Sequence, residues 1–259
     1  MAIWNKVKFF YDTMLGAAGS TLTATSAAPG CEAGNVHNML ETNMWKASGP
    51  ADPQYITFDA GAGGGASADY LAVHVHNIAT CGATLVLQYS TDNFAADIND
   101  AFVPEALPMD RIYLKEFLQT AQYRYWRLKI TGHTQAPYMT ICIWGNSTEL
   151  DYASTSFDPH SQDAMANVNL SYGGYVTGIH TQYVERRMAL RFEDADGALY
   201  ARVKAWWETS GLKHLFVAWE NANSQDDVFL MRPDTRFDNP LKNGGAYRDI
   251  TINLKGRKA

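Results

Sequence analysis

The stretch DYLAVHVHNIATCGATLVLQYSTDNF, residues 69–94, decides how the first half of the chain folds. It divides into two runs separated by a short glycine-containing connection. In the first, Leu71, Val73 and Val75 alternate with Ala72, His74 and His76. In the second, Leu85, Leu87 and Tyr89 alternate with Val86, Gln88 and Ser90. A period of two, dense in β-branched and aromatic residues, marks strands that lay one face on a core. Nothing in the stretch has the character of a catalytic centre, so recognition or assembly is expected rather than turnover.

Working outward, the flanking segments repeat the pattern. IWNKVKFFY (3–11) reads as an opening strand, and the Ser/Thr/Gly-rich run after it as surface loop with a short edge strand near Thr21–Thr25. QYITFDAG (54–61) is a strand stopped by glycine, and GAGGGASA is a flexible loop lacking the strand–helix context of a dinucleotide fingerprint. In YRYWRLKITG (123–132), Trp126, Leu128 and Ile130 share a face with Arg124, while Tyr125, Arg127 and Lys129 lie opposite. MTICIWG (139–145) closes the set. The first half, residues 1–148, is therefore expected to be an antiparallel β-sandwich.

A polar run from Asn146 to about Asp163 marks a domain boundary, with the second domain at 149–259. There ERRMALRFE reads as a strand. In ALYARVKAWWETSG, Leu199, Val203, Trp206 and Trp207 fall at i, i+4, i+7 and i+8, which predicts a helix over about 198–210 stopped at Gly211. LKHLFVAWE, DVFLMRP and AYRDITINLKG are further strands. The expected class is mainly β: an antiparallel β-sandwich followed by a β-rich domain with one helix.

Composition narrows the function. At 259 residues, 46% apolar and 12% aromatic, the chain has ample material for packed cores. A net charge of −6 argues against a nucleic-acid partner, and the basic LKGRKA end reads as a solvated tail. Three widely spaced cysteines, Cys31, Cys81 and Cys142, fit neither a disulfide scaffold nor a zinc site. With no secretory leader and no long apolar run, a soluble, cytosol-made protein without a membrane partner is expected.

On these residues the first half resembles a discoidin-type (factor V/VIII C-type), galactose-binding-like domain, which implies a jelly-roll β-sandwich. The resemblance runs through NVHNMLETNMWKAS (35–48), QYITFDAG, DYLAVHVHN, LVLQYSTDNF, YRYWRLKITG and ICIWG, covering about residues 20–146. The terminal cysteine pair and the membrane-inserting apolar spikes of extracellular members are absent, so secretion and lipid binding are not implied. More weakly, the second half resembles structural proteins of phage tail tips, of the distal-tail type. That resemblance rests on ERRMALRFE, the helix, the hairpin LKHLFVAWENANSQDDVFLMRPD and the strand RDITINLKG. It implies a β-sandwich with one flanking helix, in a virion protein assembled in a bacterial host cytoplasm. Its partners would be copies of itself in a ring, neighbouring tail proteins of tube, hub or tape-measure type, and a host-surface glycan. A stand-alone carbohydrate-binding module or lectin is the alternative.

Several constellations admit two readings. His74 and His76 can point from one strand face toward a metal, or simply occupy an exposed face. EDADG (193–197) resembles a calcium loop but lacks the ligand at its twelfth place, where Lys204 stands, so a turn is expected. Trp45, Asp92, Asn93, Phe94 and Arg124 are the carbohydrate-binding candidates, although Trp45 equally suits a core tryptophan. Trp206, Trp207, Phe216 and Trp219 are the candidates for an oligomer interface, or else Trp206 is core and Trp207 lies at a rim. No GxSxG, HExxH or supported Ser-His-Asp set is present, so no enzyme activity, no metal and no cofactor are expected.

Overall fold

The computed structural model describes residues 4–118, 120–234 and 236–258. Ile3, Gln119 and Ala259, which fall in segments assigned above, lie outside the described residues. The chain forms two compact units. One comprises Phe9–Thr148 with Asn223–Val228; the other comprises residues up to Lys8, Glu149–Ala222 and Phe229 onward. The protein is mainly β, with antiparallel sheets and, among the described residues, one α-helix.

Elements of the first unit, in chain order, begin with β1 (Trp4–Thr13), whose first residues group with the other unit, and β2 (Thr21–Ala24). They continue with β3 (Trp45–Lys46), β4 (Gln54–Asp59), β5 (Tyr70–His76), β6 (Thr84–Ser90), β7 (Asn99–Asp100) and β8 (Glu105–Ala106). The last are β9 (Tyr113–Glu116), β10 (Tyr125–Thr131) and β11 (Tyr138–Glu149). One sheet runs β1–β11–β5–β9, with β3 paired to β11; the other runs β2–β4–β10–β6–β7, with β8 on β6. Alternation sets the core. Ile56 and Phe58 of β4, Leu85 and Leu87 of β6, and Trp126, Leu128 and Ile130 of β10 meet Leu71, Val73, Cys142 and Trp144 in one cluster. The two runs of residues 69–94 thus fall in different sheets, β5 in the first and β6 in the second.

Strand β5 departs from the one-sided expectation. Its other face is closed as well: Tyr70 meets Phe10 edge-on at 5.1 Å and donates to the Asp12 carbonyl at 3.0 Å. His74 and His76 are buried, which corrects the reading of an exposed histidine face. The imidazoles do not converge. His74 Nε2 meets Glu41 at 3.1 Å, whereas His76 Nε2 meets the Arg111 carbonyl at 2.7 Å and its Nδ1 accepts from the Ile78 amide. Between them Val75 adopts φ +46°, uncommon for a β-branched residue, and the Thr140 hydroxyl donates to the His74 carbonyl at 2.9 Å. Among the described residues no cluster of three or more His, Cys, Asp or Glu could hold a metal.

The second unit contains β12 (Gln162–Leu170), β13 (Val176–Ala195), helix α1 (Gly197–Ser210) and β14 (Leu215–Glu220). It ends with β15 (Val228–Pro233), β16 (Leu241–Lys242) and β17 (Tyr247–Arg257). The sheet order is β12–β13–β17–β15–β14, with β16 on β17. The EDADG segment is the helix entry: Asp196 is the N-cap, accepting from the Leu199 amide at 2.8 Å, and Gly211 ends the helix. The basic end is not a free tail. Lys255 and Gly256 belong to β17, and the Lys258 amide bonds the Val184 carbonyl at 2.9 Å.

β12 and the first part of β13 form a hairpin that β17 does not accompany, because the β13–β17 ladder begins only at Glu185. Its turn is closed by the Ser171 amide on the Tyr175 carbonyl, with Gly174 at φ +80°. No helix among the described residues is long and apolar enough to cross a membrane.

Candidate functional site

The outer face of the β2–β4–β10–β6–β7 sheet is built by residues that alternate with its core positions. Register places Arg127 of β10 beside Thr57 of β4 and Gln88 of β6, and Gln88 beside Asp100 of β7. The Arg127 guanidinium carbon lies 4.3 Å from the Tyr55 ring centroid and 4.0 Å from that of Phe94. Its Nε donates to Gln88 Oε1 at 2.8 Å, and Gln88 Nε2 donates to Asp100 Oδ1 at 2.6 Å. Two aromatic rings, a planar cation, an amide and a carboxylate are thereby fixed along one polar row. Burial pulls the Arg127 pKa below its ordinary value, with Tyr55 and Asp100 opposing that shift.

Phe94 reaches this row from the loop that follows β6. The loop holds itself: Asp92 accepts from the Ala95, Ala96 and Asp97 amides at 3.1, 2.8 and 3.1 Å, and from the Ser90 hydroxyl at 2.9 Å. Ser90 in turn accepts from the Phe94 amide at 2.9 Å. Desolvation works against the Asp92 charge, yet those donors outweigh it and leave the carboxyl below its usual value. At Asp97 the hydrogen bonds from Thr91 lead in the same direction. Asn93 and Phe94 both sit at positive φ, 59° and 64°.

The sequence-derived carbohydrate candidates separate on this frame. Asp92, Asn93 and Phe94 come together in the loop. Trp45 does not join them: it is fully buried on β3, in the other sheet, with its indole N–H on the Ser26 carbonyl at 3.0 Å. That corrects Trp45 as a binding platform. Arg124 is engaged by Asp59 through two hydrogen bonds, 2.7 and 3.0 Å, which lower the Asp59 carboxyl. It does not share the core face of Trp126. Tyr55, Gln88, Asp100 and Arg127 escaped notice because their convergence depends on strand register. The available signal was their phase on four strands, β4, β6, β7 and β10.

Three of the four interface candidates pack the second unit's own interior instead. Trp206 and Phe216 are fully buried and Trp219 is nearly so. Trp207 is half-buried, edge-on to Trp206 and stacked on Phe237 with centroids 5.1 Å apart and planes 19° from parallel. Trp206, Phe216 and Trp219 are therefore corrected to core. Elsewhere in this unit, a groove of about 620 Å³ is lined by Ser156, Phe157, Arg187, Arg191, Asp234 and Lys255 among others. Two of its cations are already paired, Lys255 with Asp234 at 3.0 Å and Arg187 with Asp163 at 2.9 Å.

No protein-family model matches the chain, and no curated protein matches it. Solved structures show likeness at low identity. A GH29 fucosidase from Ruminococcus gnavus, in complex with fucose, is similar at 15% identity over 54% of this chain, with a TM-score of 0.45; the match spans only 28% of the fucosidase. A chitosan-binding module of a chitosanase/glucanase from Paenibacillus sp. is similar at 19% identity over 49% of this chain and 96% of its own, TM-score 0.41. A CBM32 module from Clostridium perfringens, in complex with GalNAc-β-1,3-galactose, is similar at 17% identity over 51% and 98%, TM-score 0.41.

Proposed function

We propose that the chain is a carbohydrate-binding protein without catalytic turnover, and that its first unit holds the sugar on the outer sheet face around Arg127. The carrying observation is the Tyr55–Arg127–Phe94 stack continued by Gln88 and Asp100. A pyranose offers a C–H face for aromatic rings and neighbouring hydroxyls for a planar cation, an amide and a carboxylate. A few fixed polar groups beside aromatic surface is the usual make-up of a small-ligand site. The test is a glycan array followed by titration calorimetry on the full chain. Phe94→Ala and Asp100→Ala should each weaken binding at least tenfold, while Thr21→Ala, on the sheet's edge strand, should not. Absence of binding to any glycan, or binding indifferent to both variants, overturns the reading.

A second reading takes the exposed β12–β13 hairpin as a surface for self-association. On it, the chain is a structural component of a bacteriophage or prophage-derived tail tip or baseplate, built in the host cytoplasm. It would oligomerise around the tail axis beside tube, hub or tape-measure-type proteins. Mass spectrometry of purified particles tests it: the chain should be present in fixed stoichiometry, and its absence removes the reading.

A further inference from the structure

The β12–β13 hairpin joins an uncharged run to exposed aliphatic side chains. From Ala164 to Val184 it carries no Asp, Glu, Lys or Arg, in a protein where 19% of residues are charged. Charges resume at its base, where Arg187 meets Asp163 at 2.9 Å and Glu185 at 3.2 Å. Yet the hairpin is exposed on nearly every residue. Tyr172, Tyr175 and Ile179 are 111%, 77% and 66% accessible, and Leu170, Val176, Val168 and Tyr183 are exposed too.

Cross-strand register sorts these residues. Val168 lies opposite Ile179 and Leu170 opposite Val176, whereas Asn167 faces His180 and Asn169 faces Gly178. Directly opposed residues share a face, so one face of the ribbon is aliphatic and the other is polar. β12 is also the terminal strand of its sheet, which leaves its outer edge unpaired. A lone two-stranded ribbon is marginal in water, and an apolar one with a free edge is an association site.

We infer that the aliphatic face of this hairpin, Val168, Leu170, Val176 and Ile179, docks against the same face of a second copy of the chain. Charge selects that occupant. Copies with a net charge of −6 repel one another over most of their surface. This uncharged, aliphatic face meets itself without opposing like charges, as a two-fold contact requires. Its lack of cations likewise disfavours a polyanion or an anionic membrane as the occupant. The four residues of that face, 53–66% accessible, together with Tyr172 and Tyr175 at the turn, supply the apolar surface that such a contact removes from water.

The inference rests on the self-association half of the tail reading, but needs no virion. Sedimentation and light scattering on the full chain test it. The natural chain should be dimeric or larger. Leu170→Lys with Ile179→Lys, which places two charges at the contact, should weaken association about 100-fold or more and leave the circular dichroism unchanged. Asn167→Lys, on the polar face, should associate as the natural chain does. A natural chain monomeric at high concentration overturns both this inference and the self-association reading. A natural oligomer that both lysines leave intact, or that Asn167→Lys disrupts equally, overturns the docking face alone. A monomer whose hairpin instead captures lipid vesicles also overturns the inference.

Discussion

Phe94 closes over Arg127, its ring centroid 4.0 Å from the guanidinium carbon. The contact joins a loop residue held at positive φ to a strand residue anchored by Gln88. Tyr55 lies against the same guanidinium, its ring centroid 4.3 Å from the carbon. Arg127→Lys keeps the charge but loses the planar fork and both stacks. It should cost about 1–2 kcal/mol of stability in urea denaturation. On the proposed function, its affinity for a bound glycan should fall nearly as far as with Arg127→Ala. A lysine variant that retains full affinity would show that charge alone, and not the stack, organises the face.

Trp45 distinguishes a core tryptophan from a ligand platform. Full burial and the bond to the Ser26 carbonyl place it among the core residues. Trp45→Ala should therefore cost about 3–5 kcal/mol through lost packing and a residual cavity. Trp45→Phe should cost less, mainly for the unpaired Ser26 carbonyl. A variant that unfolds at the same denaturant concentration as the natural protein would contradict this assignment.

His76 gives stability a pH dependence whose sign follows from its surroundings. Burial lowers its pKa below the ordinary 6.5, outweighing the Arg111 carbonyl and Asp110 and aided by nearby His74. Asp110 lies 3.5 Å from its Nδ1, and that nitrogen also accepts from the Ile78 amide. The folded state thus favours the neutral ring. Its contribution is complete above about pH 6.5 and declines below it, because the unfolded chain takes up the proton first. Between pH 7 and 5, the natural protein should lose stability more steeply than His76→Gln in paired denaturation series. Equal slopes would remove His76 as the cause.

How much of this was legible depended on whether a feature is local. Alternation in β4 and β10, and the Leu199–Val203–Trp206 stripe of α1, are short-range patterns and appear as expected, whereas β6 is buried on both faces from Leu85 to Gln88. The Thr21–Ala24 edge strand is likewise present, paired only to β4. What sequence could not supply was pairing across the sheet. Arg127 meets Tyr55, Gln88 and Phe94 only through the β4–β10–β6 register, and nothing along the chain announces that. The second, buried face of β5 was hidden for the same reason, since Phe10, Glu41 and Arg111 are distant in sequence. The uncharged run at 164–184 was visible, but its exposure was not, because an apolar alternating strand ordinarily signals a core.

Trp206 and Trp207 are adjacent on α1 yet should respond differently to substitution. A helix turns about 100° per residue, so neighbours cannot sink into one core position. Trp206 is buried on the stripe with Leu199 and Val203, whereas Trp207 lies half-covered under Phe237. Trp206→Ala should cost about 3–5 kcal/mol. Trp207→Glu removes the Phe237 stack, worth about 0.5–1.5 kcal/mol beyond area, and leaves the new carboxylate at the rim where water reaches it. The Glu variant should therefore fold, with a denaturation midpoint only modestly lowered. It should also self-associate like the natural chain, since the docking face inferred for the hairpin does not involve α1. A Trp207→Glu protein that folds normally but no longer self-associates would move the contact from the hairpin to the helix.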